Sequence, residues 1–128
     1  MQTSGLNHVV LTITLVDRSR TFYRDLLGFD TTDMSGGGFD GFYFKSGGVA
    51  FFFLNSSQVI LGDRFNEFRV GLDHLSFSAP NEEALHELAE KLIAAGVDTK
   101  GVEQFAPTGN WYVAFRDPDN IQLEYWLP

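Results

Sequence analysis

Leu72-Asp73-His74-Leu75-Ser76-Phe77-Ser78 decides the fold, because it restates Leu6-Asn7-His8-Val9-Val10-Leu11-Thr12 from the start of the chain. Both heptads open Leu-Asx-His, then carry apolar residues at every second position, the period of a strand with one apolar and one mixed face. His8 and His74 stand 66 positions apart. Working outward, each copy has the same sequel. After the first, Asp17 reads as the cap of a helix from about Arg18 to Leu27. Phe22, Tyr23, Leu26 and Leu27 form its apolar stripe, and Gly28 ends it. After the second, Asn81 caps a helix with Glu82 and Glu83 in its first turn, where negative charge suits the dipole. Leu85, Leu88, Ala89, Leu92 and Ile93 form that stripe, and Gly96 ends it. Strands are expected near 29–33, 41–46 and 48–54, with Gly36-Gly37-Gly38 as a mobile loop and Gly47-Gly48 as a hairpin turn. The second set is expected near 97–103, 110–116 and 120–127, the last hairpin turning at Asp117-Pro118-Asp119-Asn120.

The fold class is therefore α+β: two tandem βαβββ modules, about 5–55 and 71–128, joined by a linker at about 56–70. A module this short does not easily close its own core. The two are expected to pack as one domain, 1–128, with a curled mixed sheet around a shared cleft.

Composition agrees and excludes several classes of function. Hydrophobic residues make up 44% of the 128, with 13 Phe among them, enough to build a packed core and to exclude a disordered chain. The absence of cysteine excludes disulfides and thiolate metal sites. A net charge of −8 makes nucleic acid and anionic membrane poor partners. No apolar run reaches the roughly 18–20 residues of a membrane span, and Met1–Gly5 lacks the basic and apolar regions of a signal peptide. A cytoplasmic location is the expectation.

Strand parity then points to a site. His8, Val10 and Thr12 share a face; so do His74, Ser76 and Ser78; so do Gln122, Glu124 and Trp126, while Ile121, Leu123 and Tyr125 point the other way. The apolar faces should take the helices and the mixed faces should line a cleft. His8, His74 and Glu124 meet there if the modules pack about a pseudo-twofold axis. Two imidazoles and one carboxylate are the composition of a facial triad, suited to Fe(II) and open to Mn, Co, Ni or Zn. A polar cleft without metal is the alternative. His86 falls off the apolar stripe of its helix and is assigned to the surface.

The sequence resembles the vicinal-oxygen-chelate superfamily, which includes glyoxalase I, bleomycin-resistance proteins, fosfomycin-resistance enzymes and extradiol dioxygenases. The stretches that carry the resemblance are Leu6-Asn7-His8-Val9, Phe22–Phe29, Gly71-Leu72-Asp73-His74-Leu75 and Phe115–Glu124. The resemblance implies paired βαβββ modules with metal ligands on the first and last strands of each. His8, His74 and Glu124 stand at three of the four positions. Phe52 falls at the fourth, opposite Glu124, and cannot ligate. That departure disfavours glyoxalase I and epimerase activity and suits three-ligand enzymes better.

The resemblance implies a divalent-metal-dependent lyase, transferase or dioxygenase acting on a small vicinal-oxygen substrate, and the aromatic residues expected to wall the cleft favour one of apolar or aromatic character. Thr12, Phe52, Ser76, Trp111, Tyr112, Gln122 and Trp126 are the candidate pocket residues, and no residue is singled out as the catalytic base. The alternatives are a metal-free protein that sequesters an antibiotic-type molecule, and a regulatory relative with a vestigial cleft. A homodimer is also implied, with modules exchanged between chains as one form of it.

Overall fold

In the computed structural model every residue from 1 to 128 is described, and the chain divides between Asp63 and Arg64 into two units. Each holds one four-stranded sheet.

The first unit runs β1 (His8–Thr12), α1 (Val16–Arg20), a π-helical turn (Thr21–Leu26), β2 (Thr32–Gly36), β3 (Phe39–Ser46) and β4 (Val49–Asn55). Its sheet order is β1-β4-β3-β2, with β1 parallel to β4 and the other pairs antiparallel. The second unit runs β5 (Leu75–Ser78), α2 (Glu82–Ala94), β6 (Thr99–Gln104), β7 (Trp111–Arg116) and β8 (Gln122–Trp126). Its order, β5-β8-β7-β6, is the same topology again. The βαβββ repeat expected from the heptads is present twice, as two sheets, one in each unit.

The burial pattern follows the pleat. Leu11, Ile13, Phe42, Phe44, Phe51 and Phe53 are buried on the helix side of the first sheet. Phe77, Val113, Phe115, Ile121 and Leu123 are buried in the second, with Leu85, Ala89 and Leu92 of α2. Alternation puts the neighbouring residues of each strand on the opposite face, which carries the polar side chains.

Several expectations need correction. Asp17 does not cap the first helix: α1 starts at Val16 after Leu15, and Asp17 lies within its first turn, where its carboxylate pairs with Arg20 at 2.7 Å. The helical segment runs to Leu26 with Leu27 as its cap, as expected, but it widens to a π-helix from Thr21. Leu27 N–H donates to the Phe22 carbonyl, five residues back, at 3.0 Å, and the adjacent Phe22 and Tyr23 are both buried. Gly28 and Gly96 end their helices with φ of 82° and 71°, a left-handed conformation that disfavours a side chain, as the repeat required. Asn81 caps α2 as expected, its side-chain oxygen accepting from Ala84 N–H at 2.9 Å.

Gly36-Gly37-Gly38 is a tight turn rather than a loop: Gly36 ends β2, and Gly37 and Gly38 lead into β3. The expected linker at 56–70 carries no helix or strand, and its second half is tied to the second unit. Phe65 N–H donates to the Asp119 carbonyl at 2.9 Å, and Asn120 Nδ2 donates to the Phe65 carbonyl at 2.9 Å. Arg116 grips Glu67 with two hydrogen bonds of 2.6 and 2.9 Å. No helix is long and apolar enough to cross a membrane.

Candidate functional site

Register fixes which positions of the two units correspond. Val10 pairs with Phe52 and Ser76 pairs with Glu124, so once His8 is matched to His74, Phe52 is matched to Glu124. On the next strand Tyr43 pairs with Phe52 and Ala114 with Glu124; one step further Gly41 pairs with Leu54 and Tyr112 with Trp126. The alignment inferred from sequence is the alignment of the ladders.

In the second unit His74, just before β5, turns its Nε2 to within 3.4 Å of Glu124 Oε1, and its Nδ1 lies 2.6 Å from Asp73 Oδ1. A carboxylate only accepts, so the Nδ1 proton belongs on the Asp73 side and the Nε2 lone pair faces Glu124. Two acceptors make no hydrogen bond to each other, and 3.4 Å is in any case beyond good hydrogen-bond distance. They match two ligands about 2.0–2.2 Å from one ion at a near-tetrahedral angle. Glu124 is buried while His74 is partly open, so the pair has one walled side and one accessible side. His74 and Glu124 would supply two of the donors that a divalent cation takes.

In the first unit the same geometry holds a different chemistry. His8 Nδ1 lies 2.7 Å from Asn7 Oδ1, and its ring meets Phe52 edge-on, centroids 5.7 Å apart. Two of the three expected ligands therefore meet in the second unit, and His8 lies in the first. The structure contains no group of three His, Asp or Glu side chains that could hold an ion.

The candidate pocket residues sort by face. Tyr112, Gln122 and Trp126 share the face of Glu124, and Ser76 sits beside it, exposed. Thr12 is exposed on the face of His8, and Phe52 is half-buried there. Trp111 is the exception. Alternation puts it on the side of Val113 and Phe115, away from Tyr112, and it is 40% exposed. Tyr112 stacks on Trp126 with centroids 5.8 Å apart, and Phe105 meets Trp126 edge-on at 5.5 Å. Burial, aided by the charges of Glu103 and Glu124 and a hydrogen bond to Glu103, pushes the Tyr112 phenol up. Tyr125, on the core side, is pushed up by burial to about 12.

Sequence reasoning missed Phe105, Tyr43 and Glu103. Tyr43 and Glu103 were within reach of strand parity. Phe105 lies in the β6–β7 connection, where no period marks it. A cavity of about 260 Å³ opens beside Glu124's neighbours, lined by Glu103, Ala114, Arg116 and Gln122 among others. A recess of about 460 Å³ in the first unit, lined by Asp17, Arg20, Asp33 and Asp40, contains none of the expected site residues.

A βαβββ fold repeated in two units, with an Asx-His at the head of each first strand, is the architecture of the vicinal-oxygen-chelate class. Residues 5–125 match the Glyoxalase/Bleomycin resistance protein/Dioxygenase superfamily, and the chain belongs to it, within the vicinal-oxygen-chelate fold. The chain is similar to the crystal structure of a glyoxylase/bleomycin resistance protein/dioxygenase domain from Frankia sp. EAN1pec. The two are 33% identical with a TM-score of 0.86, each chain covered to 98%. It shares its fold with lactoylglutathione lyase from Agrobacterium tumefaciens at 22% identity and a TM-score of 0.72, covering 98% of this chain and 95% of that one. A curated relative, the uncharacterized protein YqjT of Bacillus subtilis (strain 168), is 32% identical over 78 residues. The match covers 59% of this chain and spans only 61% of that relative's length.

Proposed function

We propose that this chain is a divalent-metal-dependent enzyme acting on a small molecule that presents two neighbouring oxygens and an apolar or aromatic body. The carrying observation is the pair His74 Nε2 and Glu124 Oε1, 3.4 Å apart where the chain enters β5 beside β8. His8 is the third ligand in this proposal, and the metal is one of Fe, Mn, Zn, Ni or Co. A bound ion supplies Lewis acidity and a template for both substrate oxygens. The chain supplies the rest. Tyr112 and Ser76 offer hydrogen bonds beside Glu124, and Trp126 with Phe105 offers an apolar wall. Phe52 in place of a fourth ligand argues against the glyoxalase I reaction and for lyase, transferase or dioxygenase chemistry on three ligands. We place the protein in the cytoplasm as a homodimer, with the exposed apolar side chains Val10, Ile60, Phe68 and Val70 as candidates for burial between copies. Light scattering that finds only monomer at high concentration would contradict the dimer.

The test is metal content after purification without chelators, followed by Co(II) titration. Wild-type protein should bind one ion per chain. His74→Ala and Glu124→Gln should weaken binding by roughly 100-fold or more, beyond the usual effect of residues that only support a ligand. Equal absence of metal in wild type and both variants, even after reconstitution, sinks the proposal. One observation favours a second reading, metal-free sequestration of an aromatic compound: the first unit backs His8 with the Phe52 and Tyr43 rings, 5.3 Å apart, instead of a carboxylate. Thermal shift with aromatic ligands in the presence of a chelator separates the two.

A further inference from the structure

Both histidines are gripped from behind by the residue before them. His8 Nδ1 meets Asn7 Oδ1 at 2.7 Å and His74 Nδ1 meets Asp73 Oδ1 at 2.6 Å. Neighbours in a strand point to opposite faces, so the contact is made at the strand ends: His8 is the first residue of β1, and His74 immediately precedes β5. Each Asx oxygen takes the Nδ1 proton, which leaves Nε2 bare. In the second unit the bare Nε2 is the atom that faces Glu124. The grip was duplicated with the fold, but its chemistry differs. Asn7 offers a neutral amide oxygen, whereas Asp73 offers a carboxylate. A carboxylate behind an imidazole raises the electron density at the far nitrogen and strengthens it as a metal ligand; an amide does so far less.

We infer that Asn7 and Asp73 are positioning residues that lock both rings in the Nδ1–H tautomer, and that the carboxylate makes His74 the tight ligand and His8 the weak one. The affinity half of this inference rests on the metal proposal above; the tautomer half does not. His74 and Glu124 would be the residues that hold a divalent ion most firmly, and His8 would hold it less firmly. The side chain of Asp73 is 66% exposed, so solvent screens its charge and the effect falls at the low end of what such residues give, about tenfold in affinity. The same exposure means that its replacement leaves the core untouched.

Two measurements on the intact chain test this. Ring nitrogen NMR of the metal-free protein at mildly alkaline pH reads the tautomers directly. Both rings should carry the proton on Nδ1, and Asn7→Ala and Asp73→Ala should each release only the adjacent ring to a mixture. Co(II) titration reads the ligand strength. Asp73→Asn keeps an acceptor but loses the charge, so the tautomer should hold while affinity falls about tenfold; Asn7→Asp should raise affinity severalfold. A His74 ring that stays Nδ1-protonated in Asp73→Ala, or an Asp73→Asn protein that binds Co(II) as tightly as wild type, overturns the inference. Expected tautomers with no Co(II) binding by wild type would instead overturn the metal proposal, and the ligand ordering with it, while the positioning role survives.

Discussion

Set side by side by register, the two units place bulk and charge in opposite ways. At the centre of its polar face the first has Phe52 with Tyr43 beside it; the second has Glu124 with Ala114 beside it. One ladder step away the first has Gly41 and Leu54, the second Tyr112 and Trp126. Rings fill the middle of one sheet and the rim of the other. The backbones share one topology, so what differs is which register position carries which side chain. A small residue next to the carboxylate leaves room at the second site, and the rings around it supply an apolar edge. Both units keep the scaffold and the histidine with its Asx grip, while four matched positions differ and put the carboxylate at the centre of one half and the rings at the centre of the other.

The cores differ as well, and the largest expected effect lies there. In the first unit the helical segment turns from α to π after five residues and meets the sheet with the large rings of Phe22 and Tyr23. Tyr23 is fully buried, its ring 4.2 Å from that of Phe53 and about 6 Å from Phe42 and Phe44. In the second unit the thirteen residues of α2 bring Leu85, Ala89 and Leu92 to the sheet, and aliphatic packing suffices. Tyr23→Ala should cost about 3–5 kcal/mol of stability, and Leu92→Ala about 2–5 kcal/mol, both read from urea midpoints at constant slope. A Tyr23→Ala loss well below that of Leu92→Ala would break the contrast, since it would mean the rings around Tyr23 collapse into the space.

Phe52→Glu tests the site equivalence with a smaller effect. It puts in the first unit the carboxylate that the second has, at the matched register position beside His8. The half-buried ring and its contacts with His8 and Tyr43 are lost, at about 1–3 kcal/mol. Co(II) affinity should rise by roughly tenfold, because a fourth ligand joins the set. A variant that folds but binds Co(II) no better shows that the two positions match in backbone only.

The sequence made the repeat legible because its signals are local. The Leu-Asx-His openings, the glycines that end both helices and the Asn81 cap are each read within a few residues. Phe52 against Glu124 was legible too, because strand parity carries a side chain's face without coordinates. What stayed hidden depends on partners distant in the chain or on a break in a period. The π-helical widening at Thr21–Leu26 leaves the same apolar stripe as an α-helix. Trp111 lies next to Tyr112 in sequence, and only alternation separates their faces. Asn7 and Asp73 were visible as a matched dipeptide, but their bond to Nδ1 is a geometric fact. The tie-down of residues 64–70 rests on contacts 49 and 55 positions apart, which no local pattern announces.

That tie-down sets the last and smallest contrast. The register position of Arg116 is held by Lys45 in the first unit, where it is exposed. Arg116 instead clasps Glu67 with both terminal nitrogens and is itself only partly open. The guanidinium, with a backbone hydrogen bond adding to it, holds the Glu67 carboxyl down from 4.5 to about 2. A carboxyl lowered on folding binds its proton more weakly in the native state than in the unfolded one. Its contribution is therefore complete above pH 4.5 and drains away as pH falls toward about 2. Glu67→Gln should melt below wild type at neutral pH, and the gap should close between those two values, with Arg116→Lys intermediate because one amine cannot make the two-pronged contact. Melting curves across that range read it. A gap that stays constant down to pH 2 would show that the clasp acts through packing rather than charge, and Lys45 and Arg116 would then differ only in shape.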